Sequence, residues 1–237
     1  MPPLIIAHRG LHARLPENSL GAFRAAASAG IKWVELDIQQ SRDGQPVIIH
    51  DKTVDRVTGM TGAVDRFWAT NLRRMRLLHE NKPTEWMVPV LSDQLPLSDL
   101  RVAALVEIKP PDAPLLVNRT ARAMRACGLE WMIQSFDGAN LRHASRYARE
   151  TPQALLVNHA EDMAAALRED WPALHVAVDL LSGALVQKLH SQGRSVGVWT
   201  PNTEPELRNA IELGVDRIIT DEPLLARALV EEVGASA

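Results

Sequence analysis

Short apolar runs alternate with amphipathic helical stretches along almost the whole chain, and this alternation constrains the fold more than any single residue. Runs near Leu4–Ala7, Lys32–Ile38, Val102–Ile108, Trp131–Gln134, Ala154–Val157, His175–Val178, Ser195–Trp199 and Val215–Ile219 read as eight strands. Between them, largely apolar positions recur at helical spacing, as in Leu116, Thr120, Ala123, Met124 and Cys127, and again in Leu225, Ala228, Leu229 and Val233. Gly30, Gly128, Gly193 and Gly214 each follow such a pattern, where a helix commonly ends in a left-handed residue. Strand–helix repetition implies parallel strands joined by right-handed crossovers. An open doubly wound sheet usually needs fewer strands than eight. A length of 237 residues is close to the typical barrel size of about 250 residues. The expected fold is therefore a single α/β domain over residues 1–237, a TIM-type (β/α)8 barrel.

One segment breaks the rhythm. After Ile38 comes Ser41-Arg42-Asp43-Gly44, a turn signal, then Pro46–His50 as a short returning strand. From Asp51 to about Pro89 the pattern is irregular, with Trp68, Trp86 and one short helical stretch expected near Leu72–Leu78. This reads as a small insertion at about 51–89, after the second strand. It is expected over the C-terminal face, where the βα connections of a barrel emerge.

Composition narrows the partners. A net charge of −3 gives no reason to expect nucleic acid or an anionic membrane surface. No apolar run approaches the ~18 residues of a membrane span, and the N-terminus lacks the pattern of a secretion signal. The expectation is a cytoplasmic protein with a small-molecule substrate; the helix faces leave its oligomeric state open. Cys127 is the sole cysteine, which excludes an internal disulfide and a cysteine-based zinc site. It is expected to be a buried structural thiol.

Strand side chains alternate between two faces. In Trp33-Val34-Glu35-Leu36-Asp37-Ile38, outward packing of Val34, Leu36 and Ile38 turns Glu35 and Asp37 into the barrel lumen. The same parity in Leu105-Val106-Glu107-Ile108-Lys109 turns Glu107 and Lys109 inward. Two unit charges at ~4 Å repel by about 4 kcal/mol at an effective dielectric near 20, and Lys109 alone cannot neutralise three carboxylates. An all-oxygen set points to a hard divalent cation, Mg²⁺ or Ca²⁺ with Mn²⁺ as a third choice. The structural alternative is a buried ion-pair network around Lys109. His8 ends the first strand and His50 the returning strand, which puts both at the rim that holds the carboxylates. Such a pair can serve as base and acid in a substitution at phosphorus. Arg9 and Lys109 suit the non-bridging oxygens of a phosphate.

Taken in order, His8-Arg9-Gly10, Pro16-Glu17-Asn18, Glu35-Leu36-Asp37, Asp43-Gly44 and Val47-Ile48-Ile49-His50-Asp51 resemble the glycerophosphodiester phosphodiesterases of the bacterial, cytosolic type. Glu107-Ile108-Lys109, Ser135-Phe136, Trp199-Thr200 and Ile219-Thr220-Asp221-Glu222-Pro223 match the later motifs of that family. The resemblance implies a barrel with an insertion after strand two and a divalent metal held by Glu35, Asp37 and Glu107. It also implies His8 and His50 as the acid/base pair, and hydrolysis of a glycerophosphodiester to sn-glycerol 3-phosphate and an alcohol. The departures, Ser19, Ser41, Val90 and Pro201 among them, touch none of these positions and bear on substrate range.

Lesser candidates surround this set. Glu17 either approaches the substrate pocket and metal or acts as an acid at the start of a helix. Asp51 either orients His50 or begins a turn. Trp199 shares the parity of Gly197 and so faces the lumen, where it either walls the substrate pocket or serves packing. Asp221 is expected to cap the last helix. Among the remaining histidines only His159, just past a strand, is expected near the site. A lyase with an acidic Mg²⁺ site explains the carboxylates but not the paired histidines, and a non-catalytic phosphodiester-binding protein has no use for the acid/base pair.

Overall fold

A computed structural model describes residues 2–91 and 100–235. Eight strands lie parallel and in sequence around a closed barrel: β1 (Leu4–Ala7), β2 (Trp33–Gln40), β6 (Ala103–Ile108), β7 (Trp131–Ser135), β8 (Gln153–Val157), β9 (Ala173–Ala177), β10 (Ser195–Trp199) and β11 (Arg217–Thr220). The ring closes because β1 pairs with both β11 and β2. All eight expected strands are present, with ends displaced by a residue or two. β3 (Pro46–Ile48) returns antiparallel to β2 after the Asp43-Gly44 turn, in which Gly44 takes a φ of 72°. It stops at Ile48, so His50 stands just beyond the strand rather than at its last residue.

The alternation of side chains divides the barrel into two apolar regions. Val34, Leu36, Ile38, Val106, Ile108, Ile133, Val176, Val198 and Ile218 face outward onto the helices. Ile6, Trp33, Ala103, Leu105, Met132 and Ile219 fill the lumen. Burial of each such side chain stabilises by about 1.5–3 kcal/mol, so the two layers lock the strand parity on which the polar lumen residues depend.

Between β3 and β6 the chain forms a small subassembly on Val47 and Ile49. Val54, Val57, Val64, Ala69, Leu72, Leu77, Val88 and Val90 pack there in a core of their own. The helical stretch expected at Leu72–Leu78 is not found as such: a one-turn helix covers Ala69–Leu72, and Arg76–His79 is a strand, β4. It pairs with β5 (Lys82–Met87) through a turn in which Glu80 and Asn81 both take positive φ. That is the backbone of a tight two-residue hairpin, and Glu-Asn lacks the glycine that would have announced it. Cys127 ends the helix Pro114–Cys127 half-buried, not enclosed as expected: Leu116, Val117, Thr120, Ala121 and Met124 form the buried face of that helix. Among the described residues, no helix is long and apolar enough to cross a membrane.

Candidate active site

Register brings the polar residues together. Glu35 pairs with Leu105, Asp37 with Glu107, and Glu107 with Gln134, so carboxylates from β2 and β6 stand above the apolar lumen layer at the strand C-terminal ends. Glu35, Asp37 and Glu107 are all buried, and each offers an oxygen within 4.8 Å of the others. Lys109 Nζ lies 3.1 Å from Asp37 Oδ1 and 2.8 Å from Glu107 Oε1. Arg9 Nε lies 3.2 Å from Asp37 Oδ2, and Asn18 Nδ2 donates to the same oxygen at 2.8 Å. Glu35 is served least. Its Oε2 accepts the Arg9 backbone N–H at 3.0 Å, while its buried Oε1 has no hydrogen-bond partner.

The electrostatics follow from these contacts. Burial, then repulsion from Asp37 and Glu107, drives the Glu35 carboxyl well above its ordinary range. Burial and Asp37 push Glu107 up to about 7 against the pull of Lys109. For Asp37 burial also acts upward, but Lys109 and Arg9 outweigh it and hold the carboxyl well below its ordinary range. Arg9 and Lys109 thus pair with Asp37, and Lys109 also with Glu107, while among the described residues no cationic side chain pairs with Glu35. The residues fit a hard divalent ion: oxygens on opposite sides of Mg²⁺ or Ca²⁺ stand about 4–5 Å apart, and a buried Glu35 oxygen is without a partner.

Both rim histidines are held by an aspartate. His8 follows β1 and donates a hydrogen bond to Thr220 O from its backbone, so Asp221 is its neighbour across the β1–β11 pair. His8 Nδ1 lies 2.8 Å from Asp221 Oδ1. His50 Nδ1 lies 2.7 Å from Asp51 Oδ1. Arg56 holds Asp51 at about pKa 2 by hydrogen bonding, and hydrogen bonds from His12 and His8 hold Asp221 well below its ordinary range despite burial. Ionised carboxylates only accept, so each Nδ1 donates and each Nε2 is left as the reactive nitrogen. Burial, with Lys109 and Arg9 adding to it, lowers His50 below its ordinary value against the pull of Asp37.

His8, Arg9, Glu35, His50, Glu107, Lys109 and Trp199 line one cavity of about 230 Å³. The Trp199 indole N–H donates to His175 O at 3.1 Å, and its ring meets Phe136 edge to face with centroids 5.7 Å apart. Glu17 stands apart from the carboxylates. Arg9 and Arg56 bind it at 2.9 and 2.7 Å, and Ser19 rather than Glu17 caps the following helix.

Two expectations are overturned. Asp221 does not cap the last helix, which begins at Pro223; its carboxylate accepts from His8, His12 and Asn202. His159 is exposed at the start of the helix Ala160–Arg168 and lines none of the site. Three residues that the sequence did not single out matter here. Arg56 ties Glu17 to Asp51, His12 joins Asp221, and His175 is buried in the lumen against Gln134 at 2.7 Å. For His12 the signal was its place four residues after His8, just past Gly10, whose φ of 84° marks a turn.

A parallel barrel with an acidic cluster that could hold a metal ion and two carboxylate-held histidines at its C-terminal rim defines a TIM-type architecture with its polar site at the strand ends. The model of the Glycerophosphoryl diester phosphodiesterase family matches residues 8–225. A glycerophosphodiester phosphodiesterase of Caldanaerobacter subterraneus is 30% identical over 247 residues, covering 99% of this chain and 100% of the relative. The chain belongs to the glycerophosphoryl diester phosphodiesterase family. The fold is shared with a phosphodiesterase of Oleispira antarctica solved with its product sn-glycerol-3-phosphate, at TM-score 0.86, 23% identity and 97% coverage of both chains. A glycerophosphodiester phosphodiesterase structure from Agrobacterium tumefaciens gives TM-score 0.79 at 22% identity, covering 98% of this chain and all of that one.

Proposed function

We propose that the chain hydrolyses glycerophosphodiesters to sn-glycerol 3-phosphate and an alcohol, with a divalent ion held by Glu35, Asp37 and Glu107. The observation that carries this reading is the uncompensated Glu35 oxygen beside two further buried carboxylates, under a cavity edged by both histidines. When bound, the ion would neutralise charge on a phosphate oxygen and acidify a hydroxyl or water nearby. Mg²⁺, Ca²⁺ and Mn²⁺ all suit the oxygen donors.

His50, fixed through Nδ1 by Asp51 and lowered by burial, is neutral near pH 7 and accepts the nucleophile's proton at Nε2. His8, fixed through Nδ1 by Asp221, delivers a proton from Nε2 to the leaving alcohol. Arg9 and Lys109 face the cavity and would supply positive charge to the remaining phosphate oxygens. Trp199 walls the pocket, and Glu17 acts through Arg9 rather than on substrate. The segment 51–89 is read as an insertion over the C-terminal face, tied to the site by Arg56. A glycerophosphocholine and glycerophosphoethanolamine panel with Mg²⁺, Ca²⁺ or Mn²⁺ tests the reading. It predicts glycerol 3-phosphate as the phosphorylated product; choline phosphate in its place would refute it.

A further inference from the structure

His12 has no part in the reaction just described, yet its ring is aimed at the same oxygen as that of His8. His8 Nδ1 stands 2.8 Å and His12 Nε2 3.0 Å from Asp221 Oδ1. The three donor atoms come within 4.8 Å of one another, and all three residues are only partly buried, so an ion in solution can reach them. The other carboxylate oxygen, Oδ2, is held by Asn202 Nδ2 at 2.6 Å, while Asn202 Oδ1 accepts the Asp221 N–H at 2.9 Å. Asn202 therefore fixes the carboxylate plane and leaves Oδ1 turned to the two imidazoles. Metal-binding carboxylates are commonly oriented this way by an outer hydrogen bond.

The donor set differs in kind from that of Glu35, Asp37 and Glu107. Two imidazole nitrogens and one carboxylate oxygen suit Zn²⁺, whereas three carboxylates suit Mg²⁺ or Ca²⁺. Ligand atoms around a tetrahedral zinc stand about 3.3 Å apart. The His–Asp separations need to open by only about 0.4 Å, within reach of side-chain rotation. His12 also borders a cavity of about 230 Å³ lined by Glu17, Arg56 and His79 among others, from which a water can complete the coordination.

We propose that His8, His12 and Asp221 form a second, zinc-class metal site whose occupation withdraws His8 from proton transfer. The ion takes the place of the Nδ1 proton of His8, so binding releases protons. With Nδ1 metallated, Nε2 keeps its hydrogen, and the ring can no longer cycle between imidazole and imidazolium. The inhibitory clause rests on the proposed role of His8; the binding clause does not.

The test uses the full chain with saturating Mg²⁺, titrated with Zn²⁺ for turnover and with Co²⁺ for absorption. His12→Gln keeps an N–H donor toward Asp221 but lacks the imidazole ligand. The wild type is expected to take up one Co²⁺ with a tetrahedral visible spectrum, and to lose about tenfold or more of its turnover to Zn²⁺ in the range where His12→Gln is unaffected. Asn202→Ala is expected to weaken Co²⁺ binding about 10–100-fold. If His12→Gln binds Co²⁺ and loses turnover to Zn²⁺ as the wild type does, the site is refuted. If the variant loses Co²⁺ binding but Zn²⁺ leaves wild-type turnover intact, the metal site stands and the assignment of His8 to proton transfer is overturned.

Discussion

Glu35→Gln is expected to stabilise the metal-stripped protein while abolishing turnover. At separations within 4.8 Å and an effective dielectric near 20, each of its repulsions with a charged Asp37 or Glu107 is at least about 3.5 kcal/mol. The alternative to enduring both is to take up a proton. From an ordinary value of 4.5, protonation at pH 7 costs about 3 kcal/mol. Protonation is cheaper than two repulsions, so it sets the ceiling on the penalty, and Gln removes up to about 3 kcal/mol of it. For a chain of this size that is a rise in Tm of about 6–12 °C. The sign with pH follows from the raised folded value. Above pH 4.5 the unfolded chain has released a proton that the fold retains, so wild-type stability falls as pH rises through that window. The advantage of Glu35→Gln is therefore near zero at about pH 4.5 and is larger at pH 7 than at pH 5. Thermal and urea unfolding after EDTA treatment, at pH 5 and pH 7, measure it. Adding Mg²⁺ or Ca²⁺ at 100 times Kd restores about 2.7 kcal/mol to the wild type and less to the variant. A metal-stripped variant less stable than wild type at pH 7, or equally favoured at both pH values, would refute the reasoning.

Three further predictions concern neighbouring residues. Asp221→Asn removes the charged, acceptor-only group that sets the His8 tautomer and is expected to lower kcat about 10²–10⁴-fold; a p-nitrophenyl leaving group, which needs no acid, should recover most of the loss, and equal loss with both substrates would contradict the role of His8 as acid. His175, pushed down to about 3 by burial and by Arg217, refuses a proton that the unfolded chain accepts. Stability is thus lost as pH falls from 6.5 toward 3, by about 1.4 kcal/mol per pH unit, and His175→Gln should remove that slope in urea titrations. A Cβ at Gly197 would lie 2.4 Å from His175 Cδ2, so Gly197→Ala should destabilise by about 1–3 kcal/mol, and His175→Ala in the same chain should relieve it.

Parity made the barrel and its acidic lumen legible, because a one-residue slip would turn Val34, Leu36 and Ile38 into the lumen and press Glu35 and Asp37 against the apolar helices. The strands therefore declared their inner residues without a structure. Asp221 and His12 were not legible in the same way. Asp221 meets His8 only because β1 closes the ring against β11, a contact between chain ends that local pattern cannot express. His12 depends on the left-handed turn at Arg9 and Gly10. The hairpin β4–β5 was hidden for a local reason: its turn runs through Glu80-Asn81, and the alternation around it is weak because β5 is largely exposed.

The proposed reaction is a metal-assisted hydrolysis in which Glu35, Asp37 and Glu107 hold the ion and His8 and His50 move the protons. Its most direct test is release of glycerol 3-phosphate from glycerophosphocholine by EDTA-stripped protein before and after Mg²⁺ or Ca²⁺ is restored, with Glu107→Gln and His50→Ala alongside. Activity lost on stripping, regained on addition by the wild type and absent from both folded variants, is the predicted result. Full turnover by the stripped protein, or wild-type turnover by either variant, would contradict it.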